Sequence, residues 1–356
     1  YREKGKSKED VPIYKLREDC RDFAKYWIEI QKEEFKRLGV TGDWDNPYST
    51  MDFNSEAVIS EEFIKLVMKG VVYRGSKPVM WSPVEKTALA EAEIEYKDHR
   101  STTIWVRFSI VSGELQGSDI IIWTTTPWTI PSNKAVAFNK SIQYGLYEID
   151  EVQDESWAMP RNTIILADKL AEETMVKSRV TKYKKIRELS FEDLNETFLS
   201  HPFSNLEGAE TFWDYTVPLV EADHVTDEAG TGFVHIAPSH GAEDFEVFLK
   251  RGWLSRMTNN VEDDSSFSLA VPFFKGLQIF NKKGKEGEAN RAVIQKLIEA
   301  NKLIARGILE HSYPHSWRSR APVIFRNTPQ WFVNIDKDLK DSNDEFGKTI
   351  RERALH

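Results

Sequence analysis

Short runs of alternating apolar and polar residues in the middle of the chain limit the possible folds more than any other feature. Residues 103–110 (TIWVRFSI) alternate, and Gly113 and Gly117 separate this run from the next. A period of two is typical of a strand with one buried face, because successive side chains point to opposite faces of a sheet. Short strands at this spacing predict a barrel or a strongly curved sheet. The further runs are 119–123, 135–138, 142–149 and 163–166.

Amphipathic helices are predicted on both sides of these strands. Apolar residues recur every three or four positions over 20–38, and Gly39 is a typical helix stop. The same pattern covers 59–67 before Gly70. The sequence therefore predicts an α+β protein with a β-barrel-like core and peripheral helices. Two further helices are predicted at 242–250 and 288–304.

Composition limits the partners and the cellular compartment that can be expected for the chain. The 48 Lys and Arg against 57 Asp and Glu give a net charge of −9, which argues against binding to nucleic acid by bulk charge. Cys20 is the single cysteine, so an internal disulfide is excluded and a reducing, cytoplasmic setting is expected. No apolar run is long enough for a membrane span, and no membrane partner is expected. The chain does not begin with Met, so we expect a fragment of a longer protein.

One basic cluster stands out on this acidic chain. It admits two interpretations, a solvated face of a strand or helix, or a surface that contacts a phosphate backbone. The cluster consists of Lys177, Arg179, Lys182, Lys184, Lys185 and Arg187.

The stretch from Trp123 to Asn133 has an unusual composition. Three consecutive threonines, Thr124, Thr125 and Thr126, follow an apolar run, and two prolines are expected to prevent a helix and interrupt a sheet. An ordinary Thr-rich strand end is one interpretation. A strand end that opens into a polar pocket is the other.

A second stretch, residues 230–245, contains the other candidate groups. Two glycines are expected to turn the chain into a strand that carries His235, and Asp244 falls in the first turn of a helix. A core histidine and a carboxylate that favours a helix N-terminus would be purely structural. Together with the threonines, they could instead form a pocket for an amino acid with a free α-amine. No metal is expected, because His235 with His240, and His311 with His315, lack the further ligands of a zinc site.

These two stretches closely resemble, in the same order, the editing insertion of isoleucyl-tRNA synthetases. The resemblance extends to residues 38–48, 312–318 and 328–332, and so covers nearly the whole chain. In related valyl and leucyl enzymes an Arg-Pro-acid-Thr pattern follows the paired threonines. Here Pro127-Trp128-Thr129 replaces it, which favours specificity for isoleucine.

The resemblance implies a division into three segments. Residues 1–97 would lead from the catalytic domain into the insertion, 98–310 would form the editing (connective polypeptide) domain, and 311–356 would return to the catalytic domain. The outer segments would be helical and α/β pieces of a class I Rossmann domain. The HIGH and KMSKS signatures of the ATP site are absent. We therefore expect no cofactor in this fragment, with ATP and Mg²⁺ needed by the full-length parent alone.

One departure from the family bears on metal binding. Many members carry a cysteine pair after the Lys-Pro-Val-x-Trp segment, whereas this chain has Ser82-Pro83-Val84-Glu85 there. Zinc is therefore not expected at that position.

The resemblance also implies a reaction, the hydrolysis of valine misattached to tRNA(Ile). Asp244 would bind the α-ammonium group, and His235 would occupy the space that isoleucine's extra methylene needs. Thr124, Thr125 and Thr126 would position the ester and a water molecule. The expected partners are the acceptor end of tRNA(Ile) carrying valine and a small amino acid, with the protein a monomer. The alternative is a non-catalytic tRNA-binding insertion. Trp128 and Asn133 would shape the pocket and contact the terminal adenosine.

Overall fold

The computed structural model describes residues 1, 5, 10–209, 211–340 and 345–356. The remaining positions, which belong to the predicted segments 1–97, 98–310 and 311–356, lie outside the described residues. Two compact units are present, one formed by Tyr1–Arg74 with Trp331–His356 and the other by Gly75–Gln330. The predicted boundaries at 97/98 and 310/311 fall inside two long strands, Ile94–Ser109 and Leu303–Ser316. The assignment of the three segments to functional domains stays a prediction.

Helices and strands alternate irregularly along the chain. The helices are α1 (Ile13–Arg37), α2 (Phe53–Met68), α3 (Asp168–Lys177), α4 (Phe191–Leu194), α5 (Ala242–Lys250), α6 (Ala289–Glu299) and α7 (Ile350–Leu355). The strands are β1 (Val72–Ser82), β2 (Thr87–Ala88), β3 (Ile94–Ser109), β4 (Asp119–Thr124), β5 (Ala135–Phe138), β6 (Tyr144–Val152), β7 (Thr163–Ala167), β8 (Val180–Leu189), β9 (Phe198–Ser200), β10 (Thr216–Glu221), β11 (Val234–Ile236), β12 (Leu303–Ser316) and β13 (Ile324–Val333). Short 3₁₀ helices occupy Glu91–Glu93, Pro127–Ser132 and Leu254–Arg256. None of the described helices is long and apolar enough to cross a membrane.

The smaller unit contains the two predicted N-terminal helices. Both are present and both end before a glycine with positive φ, Gly39 at +80° and Gly70 at +67°. Their apolar stripes are not buried, however. Phe23 on α1 is 66% exposed and Ile59 on α2 is 54% exposed. The three-four spacing therefore predicted the helices correctly, whereas no residue of either helix is buried.

The larger unit is built on two open sheets. One has six strands in the order β12-β3-β4-β7-β6-β8, and the other has four in the order β11-β5-β10-β9. A three-stranded sheet, β13-β1-β2, is also present. The α+β class is confirmed. Where the sequence predicted a barrel-like core, the structure has open sheets. No closed barrel occurs in the part of the chain that the structure describes.

Burial of both faces of strand β4 explains why its sequence is an uninterrupted apolar run. Ile120 and Ile122 point into a large cluster that also contains Val136 of the four-stranded sheet. Ile121 points to the opposite face, where Met175 of α3 covers it. All three isoleucines are fully buried, because the six-stranded sheet is covered on both faces here.

The C-terminal part of this unit differs from the sequence-based expectation. The helix predicted at 288–304 ends at Glu299, and the chain enters β12 at Leu303. β12 pairs with β3 in an antiparallel ladder from Leu303 to Ser316, so residues 311–316 continue the sheet. The alternating pattern of these residues was masked by their Pro and His content.

The turn before β11 depends on the conformation of Gly232. Its φ of +81° lies in the left-handed region, and its carbonyl accepts a hydrogen bond of 2.7 Å from the Tyr144 hydroxyl. A Cβ at this position would lie 2.4 Å from Cβ of Ala167, which real side chains do not allow. Glycine is therefore required on two grounds, backbone conformation and space.

We expect Gly232→Ala to lower the free energy of unfolding by at least about 2 kcal/mol more than Gly252→Ala. Gly252 has a similar φ of +70°, but an added Cβ there meets nothing within 4 Å. The two variants therefore share the backbone strain and differ in the clash. Urea denaturation of both measures the difference, and equal losses would contradict the proposed packing constraint.

Candidate active site

The three threonines lie where strand β4 ends. Thr124 is the last residue of the strand, pairs with Ile104 of β3 and is 7% exposed. Its hydroxyl accepts a hydrogen bond of 3.1 Å from the main-chain N–H of Thr126, which bends the chain out of the sheet. Thr125 and Thr126 are partly exposed just beyond this bend. The strand end is thus both Thr-rich and open to a polar surface.

The prolines that follow do not prevent a helix, contrary to the prediction. Residues Pro127–Ser132 form a 3₁₀ helix. At its two ends the N–H groups of Thr129 and Asn133 donate to the carbonyls of Thr126 and Ile130. Proline lacks an N–H, so this pattern is compatible with Pro127 and Pro131 because neither has to donate.

The 3₁₀ helix turns the Thr129 side chain back toward the strand end. The Thr129 hydroxyl donates to the carbonyl of Thr126 at 2.8 Å and lies 3.2 Å from the Thr126 hydroxyl. The Thr126 hydroxyl in turn lies 3.2 Å from that of Thr124. Thr129 was not among the predicted site residues, although it lies in the stretch from Trp123 to Asn133 that carries the resemblance. Only the fold brings its hydroxyl into this chain of contacts.

His235 on β11 extends the chain of hydrogen bonds. Its Nε2 lies 2.9 Å from the Thr129 hydroxyl, and its Nδ1 lies 3.4 Å from Nδ2 of Asn133. The Thr129 hydroxyl already donates to a carbonyl, so it accepts from Nε2–H of His235. Nδ1 then accepts from the Asn133 amide, which also donates to the carbonyl of Ala135 at 2.8 Å. These contacts fix the imidazole as the Nε2–H tautomer.

Burial keeps His235 and the neighbouring His240 neutral. Desolvation lowers the pKa of His235 to about 4, and His240 adds to this effect. Desolvation also lowers the pKa of His240 to about 4, with a further lowering by Arg326. At neutral pH neither imidazole carries a charge, so neither acts there as a cationic acid.

Trp128 and Asn133 have different surroundings. The Trp128 ring lies edge-on to the His240 ring, with centroids 4.9 Å apart, and its main-chain N–H donates to Oδ1 of Asn290 at 3.1 Å. Asn133 is fully buried and holds His235. Its Oδ1 has no hydrogen-bond partner among the described residues.

Asp244 lies in the first turn of α5, as predicted. Its Oδ2 accepts a hydrogen bond of 2.8 Å from the main-chain N–H of Ala237, two residues after His235. Burial of the carboxyl group raises its pKa to about 7, with a smaller increase from Glu243, and the Ala237 hydrogen bond opposes both. Within the described residues no hydrogen bond joins Asp244 to the threonines. The connection between them runs through β11.

A cavity of about 30 Å³ opens beside the strand end. Thr125, Thr126 and Trp128 line it, together with Asn290 and Tyr313. This volume accommodates one or two water molecules. Thr124, Asn133, His235 and Asp244 are not part of its lining. The structure thus places the second and third threonines at the cavity, and His235 behind them through Thr129.

The chain resembles known proteins over its whole length. The family model described as tRNA synthetases class I (I, L, M and V) matches residues 1–351. An isoleucine–tRNA ligase of Ruegeria pomeroyi is 54% identical over 359 residues, which is 100% of this chain and 37% of the relative. An isoleucine–tRNA ligase of Caulobacter vibrioides is 51% identical over 365 residues, again 100% of this chain and 37% of the relative. The chain therefore spans just over a third of the length of these curated relatives.

Two solved structures show weaker similarity. The crystal structure of GlLeuRS-CP1 has a TM-score of 0.41 and 12% identity, and the match covers 59% of this chain and 99% of that one. The editing domain of the cytosolic leucyl-tRNA synthetase of P. knowlesi has a TM-score of 0.38 and 11% identity, with 63% of this chain and 100% of that one covered.

The raised pKa of Asp244 predicts that Asp244→Asn stabilises the fold at pH 8. We expect a gain of about 1–2 kcal/mol, a value reduced to allow for the partial exposure of the residue. Asn keeps an oxygen that accepts from Ala237. The pKa of the folded chain, about 7, exceeds the ordinary value of 3.8. The folded chain therefore binds more protons than the unfolded chain between these values, and its stability falls as pH rises through that window. The advantage of Asn should grow from about pH 4 to 7 in urea denaturation.

Glu243→Gln is the matched control for this experiment. Glu243 is exposed in the same helical turn, so its replacement removes the same charge but leaves the desolvated carboxylate of Asp244 in place. We expect a loss of about 0.3–1 kcal/mol at pH 8, because an acidic residue stabilises a helix N-terminus. Parallel stability curves for Asp244→Asn and the unsubstituted chain between pH 4 and 8 would contradict the raised pKa.

Proposed function

The chain belongs to the class I tRNA synthetase family (I, L, M and V), and from that premise we propose that its larger unit hydrolyses valyl-tRNA(Ile). Its relatives at 47–54% identity are isoleucine–tRNA ligases. Isoleucine and valine differ by one methylene, which a hydrophobic pocket discriminates by only about 1–3 kcal/mol; isoleucyl enzymes are the standard illustration of this limit. A second site that removes valine supplies the missing accuracy.

The main support for this proposal is the hydrogen-bonded series Thr124–Thr126–Thr129–His235 beside a water-sized cavity. Hydroxyl groups both donate and accept, so Thr125 and Thr126 can hold a water molecule next to an ester carbonyl. An aminoacyl ester is already activated, and a positioned water then gains much of its rate from proximity and orientation. These partly buried hydrogen bonds keep the hydroxyl of Thr126 in a defined position before substrate arrives.

Asp244 is proposed to bind the α-ammonium group of the misattached valine. Among the described residues its carboxyl group accepts one hydrogen bond, from the Ala237 N–H, and its pKa is raised to about 7. An ammonium group nearby favours the ionised carboxylate and would lower this pKa. Binding of the substrate therefore supplies the positive charge that the buried carboxylate lacks.

His235 is proposed to limit the size of the bound side chain. The imidazole is 7% exposed, neutral, and uses both nitrogens in hydrogen bonds to Thr129 and Asn133. It is therefore held in place and has no free donor for chemistry. A fixed ring next to the substrate's side chain would exclude the extra methylene of isoleucine. Asn133 is proposed to orient this ring, and Trp128, at the cavity, to contact the terminal adenosine.

The activity of the longer protein is a separate part of the proposal. The chain spans 37% of the length of its relatives. For the whole protein we propose ligation of isoleucine to its tRNA with ATP and Mg²⁺, in the cytoplasm and as a monomer. The binding of tRNA to this chain without hydrolysis is the second candidate. The small volume of the cavity at Thr125 favours it, because a valyl group enters only if neighbouring side chains move.

We expect the purified chain to hydrolyse valyl-tRNA(Ile), and Asp244→Asn to lower kcat/KM at pH 8 by about 100-fold or more, since a charge-assisted contact to the ammonium group is lost. Release of radiolabelled valine measures the reaction. Asn retains the hydrogen bond to Ala237, so the local fold is preserved. Glu243→Gln, which removes a neighbouring exposed carboxylate, should hydrolyse the substrate at the unsubstituted rate.

The outcomes separate the two candidate functions. Binding of tRNA without release of valine by the unsubstituted chain would support the non-catalytic candidate. Full activity of Asp244→Asn would refute the ammonium role while leaving hydrolysis by the threonine site intact.

A further inference from the structure

Two turns of the larger unit have the same construction, although they lie far apart in the sequence. The first follows Ser82, the last residue of β1, and the second follows Ser316, the last residue of β12. Four residues after each serine, the main-chain N–H of Lys86 or Arg320 donates to the serine carbonyl at 2.8 Å. Lys86 and Arg320 also share a left-handed backbone, with φ of +54° and +58°. The two turns therefore repeat one local structure.

The first side chain has the same role in both turns. The Ser82 hydroxyl accepts a hydrogen bond of 3.3 Å from the main-chain N–H of Glu85. The Ser316 hydroxyl accepts one of 3.3 Å from the main-chain N–H of Arg318. Both serines are fully buried. Each turn thus fixes the position of its own first side chain.

The carboxylate of Glu85 joins the two turns. Its Oε1 and Oε2 lie 2.9 and 2.8 Å from the Ser316 hydroxyl, which donates, and Oε1 also accepts from the main-chain N–H of Ser319 at 2.9 Å. Partial burial raises the pKa of Glu85, but hydrogen bonds from Ser82, Ser316 and Ser319 outweigh this effect and hold the pKa below its usual value. The carboxylate is therefore ionised at neutral pH. We call Ser82, Glu85, Ser316 and Ser319 the carboxylate clasp.

The four positions of the clasp have the spacing of a four-ligand zinc site. Two residues separate Ser82 from Glu85 and two separate Ser316 from Ser319, as in the paired C-x₂-C motifs of zinc sites. A tetrahedral zinc ion with four thiolates needs sulfur atoms about 4 Å from one another, because each Zn–S bond is about 2.3 Å long. Contacts of 2.8–3.3 Å within the clasp bring the same positions together on this scale.

The side chains at these positions do not fit zinc. They supply one carboxylate and three hydroxyls, whereas structural zinc sites use thiolates and imidazoles. Zinc ligands must also be deprotonated, and a serine hydroxyl keeps its proton at neutral pH. Within the part of the chain that the structure describes, no group of three or more His, Cys, Asp and Glu side chains could hold a metal ion.

We propose that the carboxylate clasp is the metal-free counterpart of a zinc site, in which the carboxylate of Glu85 crosslinks the two turns in place of the ion. The charges are reversed, because a central cation binds four anionic ligands in a zinc site, whereas here one anion accepts hydrogen bonds from the second turn. The backbone keeps a geometry that suits zinc as soon as the four side chains are thiolates. This inference is independent of the hydrolytic function.

The clasp bears on the candidate site through β12. Ser316 ends this strand, and Tyr313, three residues earlier, lines the cavity at Thr125 and Thr126. The Tyr313 hydroxyl donates to the carbonyl of Val323 at 2.9 Å, across the same turn that Glu85 holds. In this chain the support of that cavity wall would therefore not depend on a supply of metal.

The first test measures the strength of the clasp without metal. Glu85→Ala removes the hydrogen bonds to a charged acceptor, so we expect the midpoint of thermal unfolding to fall by about 5 °C or more. Glu91→Ala is the matched control, because Glu91 is exposed and its side chain forms no hydrogen bond or ion pair with a described residue. Its midpoint should change by less than about 2 °C. EDTA should leave the midpoint of the unsubstituted chain unchanged.

The second test asks whether the backbone suits zinc. The variant Ser82→Cys/Glu85→Cys/Ser316→Cys/Ser319→Cys should bind one equivalent of Co²⁺ with the visible absorption of a tetrahedral cobalt thiolate, and Zn²⁺ should displace the cobalt. The control carries Val84→Cys in place of Glu85→Cys, so it has as many thiols but the wrong spacing. Cys20 is exposed and present in both variants, so it cannot account for a difference. Only the first variant should gain thermal stability when Zn²⁺ is added.

Each of several results would overturn the proposal. These are equal midpoints for Glu85→Ala and Glu91→Ala, a midpoint of the unsubstituted chain that falls in EDTA, and the same cobalt spectrum from both four-thiol variants. A four-cysteine variant that Zn²⁺ neither folds nor stabilises would also show that the turns lack the geometry of a zinc site.

Discussion

The hydrogen bond between the Thr129 hydroxyl and Nε2 of His235, at 2.9 Å, is the contact on which the rest of the site depends. It joins two distant parts of the chain, the 3₁₀ helix after β4 and the strand β11. Because Thr129 also donates to the Thr126 carbonyl, the same hydroxyl fixes the position of the strand end and the tautomer of the imidazole. Strands β11 and β5 bring the two parts together, with His235 opposite Val136.

Desolvation sets the charge of three buried groups in this region. It keeps His235 and His240 neutral and holds Asp244 near its midpoint at neutral pH. A buried carboxylate without a cation is costly to the fold, and a substrate ammonium group would remove that cost.

Much of this arrangement could be predicted from the sequence. Period-two patterns located the central strands, and the helix that carries Asp244 matches its predicted range of 242–250. The residues that the fold alone brings together were missed. Thr129 showed no signal of its own, because its role depends on a 3₁₀ helix that the two prolines were expected to forbid.

Hydrolysis of isoleucyl-tRNA(Ile) by His235→Ala tests the central claim most directly, namely that the Thr129–His235 contact holds an imidazole where it excludes isoleucine. The unsubstituted chain should leave isoleucyl-tRNA intact while it hydrolyses valyl-tRNA. In His235→Ala the ring volume is gone, so isoleucyl-tRNA should be hydrolysed at a rate within about 200-fold of the rate for valyl-tRNA, since one methylene is worth only about 1–3 kcal/mol. Continued rejection of isoleucyl-tRNA by a folded His235→Ala variant that still hydrolyses valyl-tRNA would contradict the account.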